Sequence, residues 1–249
     1  MLKNVFTTSF SPTHLIILAL ETSSHVCSIA LHDVTDGRLI GQSELRVEKS
    51  HSTHLTILIE QLLENTGHAL TDFAAVAVSD GPGSYTGLRI GAAAAKGLCF
   101  ALDIPLVAVS TLGALAAQVA AVTVGAEETS FCPMLDARRM EVYTALYTHD
   151  GQQVLAPAPL VLTPEALAEQ LAHRRVLCFG SGAAKFRPLV IGQSNVGFLL
   201  GIEPSAVAVG ALAVEMFRRQ EFQDVAYYEP FYLKEVYTTT PKPSSFATN

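Results

Sequence analysis

Residues 79–91 read Ser79-Asp80-Gly81-Pro82-Gly83-Ser84-Tyr85-Thr86-Gly87-Leu88-Arg89-Ile90-Gly91, and an alanine-rich run follows at 92–95. The apolar residues before this turn are typical of a buried strand, and those after it of a helix that packs closely on a sheet. The glycines permit positive φ and close backbone approach, and Pro82 stiffens the turn. The stretch therefore predicts a strand, a tight turn and a helix whose N-terminal N–H groups favour an anion.

The common phosphate-binding and esterase motifs do not match this turn. A dinucleotide fingerprint would need glycine at Thr86, and a Walker loop would need serine or threonine after Lys96, where this chain has glycine. A nucleophile elbow around Ser84 would need glycine at Pro82. Because side-chain oxygens at helix starts usually accept from free N–H groups, Ser84 and Thr86 are predicted to be turn and cap residues, not nucleophiles.

The composition indicates a globular protein with much buried surface. Of 249 residues, 49% are hydrophobic and 16% are charged, and the formal net charge is −7. This charge disfavours a broad nucleic-acid surface. Four widely spaced cysteines in apolar stretches are typical of reduced core residues in a cytoplasmic protein: Cys27, Cys99, Cys132 and Cys178. No apolar run is long enough for a signal peptide or a membrane span.

Apolar periodicity predicts two α/β layers joined near residue 110. Before that point we expect strands over 15–20, 26–32, 39–47, 74–79 and 106–109, with helices over 52–64 and 88–102. After it we expect helices over 111–122, 163–173, 183–187 and 204–219, and strands over 131–135, 140–148 and 176–179. The predicted units are a disordered or extended leader (1–14), a first lobe (15–109), a second lobe (110–203), and a C-terminal helix and tail packing back on the first lobe (204–235).

Three motifs in this order resemble the TsaB family, also called YeaZ. They are Leu18-Ala19-Leu20-Glu21-Thr22-Ser23, the glycine-rich turn, and Leu135-Asp136-Ala137-Arg138-Arg139-Met140-Glu141-Val142-Tyr143. The resemblance implies an actin-like fold (ASKHA, ribonuclease H-like): two α/β lobes with mixed sheets flanked by helices. It also implies a noncatalytic accessory subunit in the synthesis of N6-threonylcarbamoyladenosine at position 37 of tRNA.

The catalytic paralogue TsaD shares the glycine-rich turn but continues into a motif whose two histidines bind a metal. At the corresponding positions this chain has Thr111 and Leu115, and leucine cannot ligate a metal. The resemblance therefore implies that this chain has no catalytic residue and no metal site.

The resemblance further implies that the predicted helices over 52–64 and 88–102 pair with TsaD. The alternative is that the apolar residues of these helices belong only to the intramolecular core. The expected interface residues are Leu55, Leu58, Ile59, Leu62, Leu88, Ile90, Gly91, Ala94 and Leu98. TsaE would engage the heterodimer, and TsaC would supply threonylcarbamoyl-AMP. A homodimer through the same helices is allowed when the partner is absent. The resemblance implies tRNA contact through the complex rather than directly, no membrane, and no intrinsic cofactor beyond weak nucleotide binding at the interface.

A cleft between the lobes would retain the remains of a nucleotide pocket, with these residues: Glu21, Gly83, Ser84, Asp136, Arg138, Gly180 and Gly182. Glu21 is either a magnesium or phosphate ligand or, more simply, a hydrogen-bonded turn carboxylate. Asp136, Arg138 and Arg139 form either the polar floor of the cleft or a salt-bridged turn.

Other candidate ligands are weaker. His51 and His54 are three apart at a helix start, as two metal ligands could be, but without a third ligand a solvated helix end is favoured. His25 is expected to be exposed. The alternative function is a nucleotide-dependent phosphotransferase or ATPase that uses Glu21, the glycine-rich turn and Asp136. A peptidase is disfavoured because the histidine pair is missing.

Overall fold

A computed structural model describes residues 15–47, 50–124 and 127–234, so the predicted leader over 1–14 lies outside the described residues. The strands are β1 Ile16–Glu21, β2 Cys27–Asp33, β3 Leu39–Leu45, β4 Phe73–Gly81, β5 Leu106–Ser110, β6 Thr129–Asp136, β7 Glu141–Tyr147, β8 Gln153–Val161, β9 Arg175–Phe179 and β10 Val196–Leu199. The helices are α1 His51–Thr66, α2 Tyr85–Leu102, α3 Thr111–Ala120, α4 Ala168–His173, α5 Ala183–Phe186 and α6 Ala206–Arg218.

The two five-stranded sheets repeat one topology. The first has the order β3-β2-β1-β4-β5 and the second β8-β7-β6-β9-β10, so each places its first three strands as a meander and then adds two parallel strands. Within the first sheet, β1 is antiparallel to β2 and parallel to β4. Within the second, β6 is antiparallel to β7 and parallel to β9. The mixed strand directions predicted for both layers are therefore present.

The helices cover the sheets according to their apolar faces. Helices α1 and α2 pack on one face of the first sheet, and α6 packs on the other. Helix α3 lies between the lobes, since Ala114 contacts the first sheet while Leu112, Leu115 and Val119 pack on Phe131 of the second. Helices α4 and α5 cover the remaining face of the second sheet. The cleft between the lobes is lined by the β1–β2 turn and the start of α2 on one side and by the β6–β7 turn on the other.

Helix ends follow local chemistry. Gly67 ends α1 with φ of 70°, and Asp103 ends α2 in the same left-handed region, ahead of Pro105. Ser84, Ser110 and Ser205 cap α2, α3 and α6 by accepting from backbone N–H groups. None of the helices in the described ranges is long and apolar enough to cross a membrane.

Candidate functional site

The principal cavity is a cleft of about 1530 Å³ between the lobes. One wall consists of the β1–β2 turn and the start of α2, and the opposite wall of the β6–β7 turn with α5. The C-terminal segment 231–234 lies along its mouth. In a sheet with parallel strands, ligands usually bind at the carboxyl ends of those strands, and this cleft has that position for β1 and β4.

The glycine-rich turn is filled by the chain's own backbone. The N–H of Ser84 donates to the carbonyl of Ser23 at 2.6 Å, so this donor is not free for a phosphate. A Cβ on Gly87 would lie 2.0 Å from the Thr22 carbonyl oxygen, and one on Gly83 would lie 2.5 Å from that of Ser23. The glycines are therefore required by close packing of the β1–β2 turn. Ser84 is a cap, as predicted, since its Oγ accepts from the N–H of Gly87 at 3.3 Å.

Glu21 does not face the cleft. Its side chain is fully buried, Oε1 accepts from the N–H of Ser23 at 2.5 Å, and Oε2 has no partner within the described chain. Burial raises the pKa of this carboxyl from 4.5 to about 7, although hydrogen bonds from Ser23 oppose the shift. The hydrogen-bonded turn carboxylate is thus the interpretation that fits, and the expected place of Glu21 in the cleft lining is wrong.

The opposite wall is built on a turn held by one carboxylate. Asp136 Oδ1 accepts from the N–H of Arg138 at 2.7 Å and from Lys185 Nζ at 2.5 Å. Lys185 also donates to the carbonyl of Arg139 at 2.7 Å, and the N–H of Asp136 donates to Ser181 Oγ at 3.1 Å. Asp136, Arg138 and Arg139 all line the cleft. The sequence analysis offered two alternatives for residues 136–139, the polar floor of the cleft and a salt-bridged turn. Both descriptions apply to this segment.

Four of the predicted cleft residues line the cavity: Gly83, Ser84, Asp136 and Arg138. Gly180 and Gly182 do not, which corrects their predicted role. Gly182 donates its N–H to the carbonyl of Met134 at 2.8 Å, and a Cβ on Gly180 would lie 2.5 Å from the same oxygen. Both glycines allow the loop after β9 to pack against β6, and neither is free to contact a nucleotide.

The C-terminal segment packs on the first lobe, as predicted, and it also lines the cleft, which the sequence analysis did not predict. Tyr228 donates its hydroxyl to Asp80 Oδ1 at 3.0 Å, and the N–H of Phe231 donates to the Asp80 carbonyl at 2.8 Å. Lys96 donates to the carbonyl of Tyr228 at 3.0 Å. These bonds fix the segment beside α2. Lys234 then contacts the Glu141 carboxylate, so the segment bridges the two lobes.

A second cavity, a groove of about 410 Å³, lies between α1 and α2. Its apolar lining includes Ile59, Leu63, Leu70, Ala94 and Leu98. Of the predicted interface residues, Ile59, Ala94 and Leu98 therefore line this groove. The others lie beneath it or elsewhere in the first lobe: Leu55, Leu58, Leu62, Leu88 and Gly91 are buried, and Ile90 is partly buried.

Histidine and cysteine predictions had mixed outcomes. His51 is buried and its Nε2–H donates to the Val26 carbonyl at 3.2 Å, so the predicted solvated position is wrong, whereas His54 and His25 are exposed as expected. The four cysteines are free and buried, as predicted. Among the described ranges, no three His, Cys, Asp or Glu side chains come together in a way that could hold a metal ion.

Comparisons with known proteins decide the family. The family model described as "TsaD: tRNA N6-adenosine threonylcarbamoyltransferase" matches residues 45–235. The "tRNA threonylcarbamoyladenosine biosynthesis protein TsaB" of Escherichia coli is 32% identical over 88% of this chain and 94% of that protein. The chain belongs to the TsaB family. The Bacillus subtilis protein of the same name is 38% identical over 70% of this chain and 74% of its own length.

A solved TsaB-family structure agrees with the fold. YeaZ from Pseudomonas aeruginosa is 32% identical to this chain, superposes with a TM-score of 0.70, and covers 88% of this chain and 99% of its own. The prediction of an actin-like, two-lobed fold with mixed sheets flanked by helices is confirmed. Family and fold thus rest on similarity over most of the chain, and no longer on the three motifs from which they were predicted.

Proposed function

We propose that the chain is a noncatalytic subunit that binds a TsaD-type catalytic subunit and supports threonylcarbamoyl transfer to N6 of tRNA adenosine 37. The observation that carries the proposal is the apolar groove between α1 and α2, which no element of the described chain covers. Its lining of Ile59, Leu63, Ala94 and Leu98 suits an apolar helix of a partner, because an i, i+3, i+4 row of side chains packs into such a groove.

Two further observations support a noncatalytic role. The Ser84 N–H already donates to Ser23, and the Glu21 carboxylate is buried against the same residue, so neither group is available to a phosphate or a magnesium ion. An accessory subunit needs no active site, since it can stabilise the competent state of its partner by binding that state more tightly. The relatives' names, which refer to tRNA threonylcarbamoyladenosine biosynthesis, support the pathway.

In this proposal TsaD carries the chemistry, TsaE engages the heterodimer, and TsaC supplies the acyl donor. The same two helices can also pair in a homodimer when the partner is absent, because a two-fold axis brings the same apolar surface of two copies together. The role requires no cofactor bound by this chain.

The test is assembly with a TsaD-type subunit from the same organism, measured by size exclusion with light scattering. We expect a one-to-one complex that Ala94→Glu weakens by about 100-fold or more, because a buried unpaired carboxylate opposes docking. Thr56→Arg, an exposed change at the groove's edge, should act in the same direction without disturbing the core. Ala172→Glu, exposed on α4, is the matched control. Undiminished assembly of both groove variants would contradict the proposal.

A further inference from the structure

The cleft carries positive charge that the protein itself does not neutralise. Two carboxyl groups of the described residues line it: Asp136 is paired with Lys185, and Glu203 is partly buried, which raises its pKa and disfavours a negative charge there. Arg138 and Arg139 also line the cleft and are exposed. Across residues 15–47, 50–124 and 127–234, neither guanidinium has a hydrogen-bond or ion-pair partner. In a chain of net charge −7, this is a local excess of cation.

The turn that presents these arginines is held in an unfavourable backbone conformation. Arg138 has φ of 68° and Arg139 has φ of 43°, in the left-handed region that costs a non-glycine residue about 1 kcal/mol or more. Asp136 and Lys185 hold the turn there through the bonds described above. The backbone that carries both arginines is therefore fixed at this wall before any ligand arrives, which reduces the backbone entropy lost on binding.

Exposed aromatic rings face the same cavity from the other wall. Tyr85 and Tyr232 line the cleft with ring centroids 5.0 Å apart, and Phe231 lies beside them. Arg89 donates to the Tyr85 hydroxyl at 2.9 Å, and its guanidinium carbon lies 5.4 Å from the centre of that ring. Such rings offer stacking platforms to unpaired bases, and guanidiniums pair with phosphates.

We propose that this cleft holds a single-stranded segment of RNA, with phosphates on Arg138 and Arg139 and unpaired bases against Tyr85 and Tyr232. The inference rests on the proposed function, which makes a tRNA the substrate of the complex, and it adds direct contact from this chain. A loop fits better than a duplex, because stacking on side chains requires bases free of their pairs. A mononucleotide fits less well, because the cleft of about 1530 Å³ exceeds the several hundred Å³ typical of small-ligand pockets.

The test measures fluorescence anisotropy of a labelled anticodon stem-loop RNA, titrated with the chain alone and with its complex. The variant is Arg138→Asn with Arg139→Asn, since asparagine tolerates left-handed φ. We expect a loss of affinity of about tenfold or more and a salt slope lowered by about 1.4, the value for two lost phosphate contacts on a single strand. Tyr232→Leu should weaken binding about fivefold.

The matched control is Arg174→Gln with Arg175→Gln, which removes the same charge from an adjacent exposed pair outside the cleft. Selective loss in the cleft variant supports the inference. An equal loss in both pairs, or unchanged RNA affinity in the cleft variant, overturns it. The inference is also overturned if the cleft variant loses binding of adenosine triphosphate but still binds RNA.

Failure of the proposed function would be visible separately. Light scattering reports whether the one-to-one complex forms, and the RNA titration of the chain alone does not depend on it. A complex that forms normally while the cleft variant binds RNA as the wild type does would overturn only the RNA contact.

Discussion

The two walls of the cleft are built in opposite ways. On the first-lobe wall, Gly83 and Gly87 let the carbonyls of Thr22 and Ser23 pack closely against the glycine-rich turn, and the Ser23 carbonyl accepts from the N–H of Ser84. On the second-lobe wall, Arg138 and Arg139 adopt positive φ without being glycine, and their guanidiniums line the cleft with no partner among the described residues. A turn that resembles an anion site in sequence is thus used for close packing within the first lobe, while the cations available to an anion lie across the cleft.

Gly87→Ala is the substitution from which we expect the largest effect on stability. The new Cβ would lie 2.0 Å from the Thr22 carbonyl oxygen, which cannot move without unseating the β1–β2 turn. We expect a loss of about 4 kcal/mol in the free energy of unfolding, measured by denaturant titration. The control is Gly97→Ala in the same helix, where the added Cβ meets nothing within 4 Å. It should gain about 0.5–1 kcal/mol. Equal effects at both glycines would refute the packing argument.

The buried carboxylate beneath the first wall gives a pH dependence of known sign. Burial raises the pKa of Glu21 from 4.5 to about 7 in the folded protein. The contribution of the protonated side chain to stability is therefore fully present below pH 4.5 and is lost as pH rises through 7. Glu21→Gln removes this loss, so the variant should be more stable than wild type at pH 8 by about 3 kcal/mol.

At pH 4.5 the two forms should be nearly equal in stability. Thermal unfolding of both proteins across this range checks the sign. A Gln variant that is destabilised equally at pH 4.5 and pH 8 would show that the Glu21 carboxylate remains ionised and is needed as such.

On the second-lobe wall, a substitution at a residue with positive φ should raise stability, whereas Gly87→Ala on the first-lobe wall lowers it. Arg138→Gly relieves a strained φ of 68° and should raise stability by about 1 kcal/mol, even as it weakens RNA binding. Arg175→Gly, in the extended backbone of β9, should lose about 1 kcal/mol and is the matched control. Chemical denaturation of the pair decides the matter, since a destabilised Arg138→Gly would mean that the side chain, not the backbone, is what holds this turn.

The smallest expected effect is that of Asp136→Asn. The change removes an exposed ion pair with Lys185, and asparagine keeps an oxygen that can accept from the N–H of Arg138. We expect a loss below about 1 kcal/mol. A loss of several kcal/mol in the same denaturation assay would show that the turn depends on the charge of Asp136 as well as on its geometry.

The first lobe was the easier half to predict from sequence. Its strands have continuous or alternating apolar patterns, and Gly67 and Asp103 mark helix ends that the structure reproduces. In the second lobe, strands β8 and β10 were missed. Strand β8 contains Pro157 and Pro159, which are tolerated there because β8 is an edge strand that pairs on one side only. Strand β10 is short, partly exposed and also at an edge.

The site was predicted in its residue types and less well in its geometry. The sequence located the glycine-rich turn and the Asp136–Arg139 cluster. It could not show that Glu21 is buried, because that burial depends on residues 83–87 packing over the β1–β2 turn. It placed the C-terminal helix and tail on the first lobe, but it could not show that the tail reaches the cleft, since the bond between Tyr228 and Asp80 joins positions far apart in the chain.

The most direct test of the central claim is reconstituted threonylcarbamoyl transfer to tRNA by a TsaD-type subunit, with the other proteins and substrates held constant. We expect transfer when the wild-type chain is present, little transfer without it, and little with the groove variant Ala94→Glu, while Glu21→Gln should support transfer as wild type does. Full transfer with Ala94→Glu, or loss of transfer with the folded Glu21→Gln variant, would contradict the central claim.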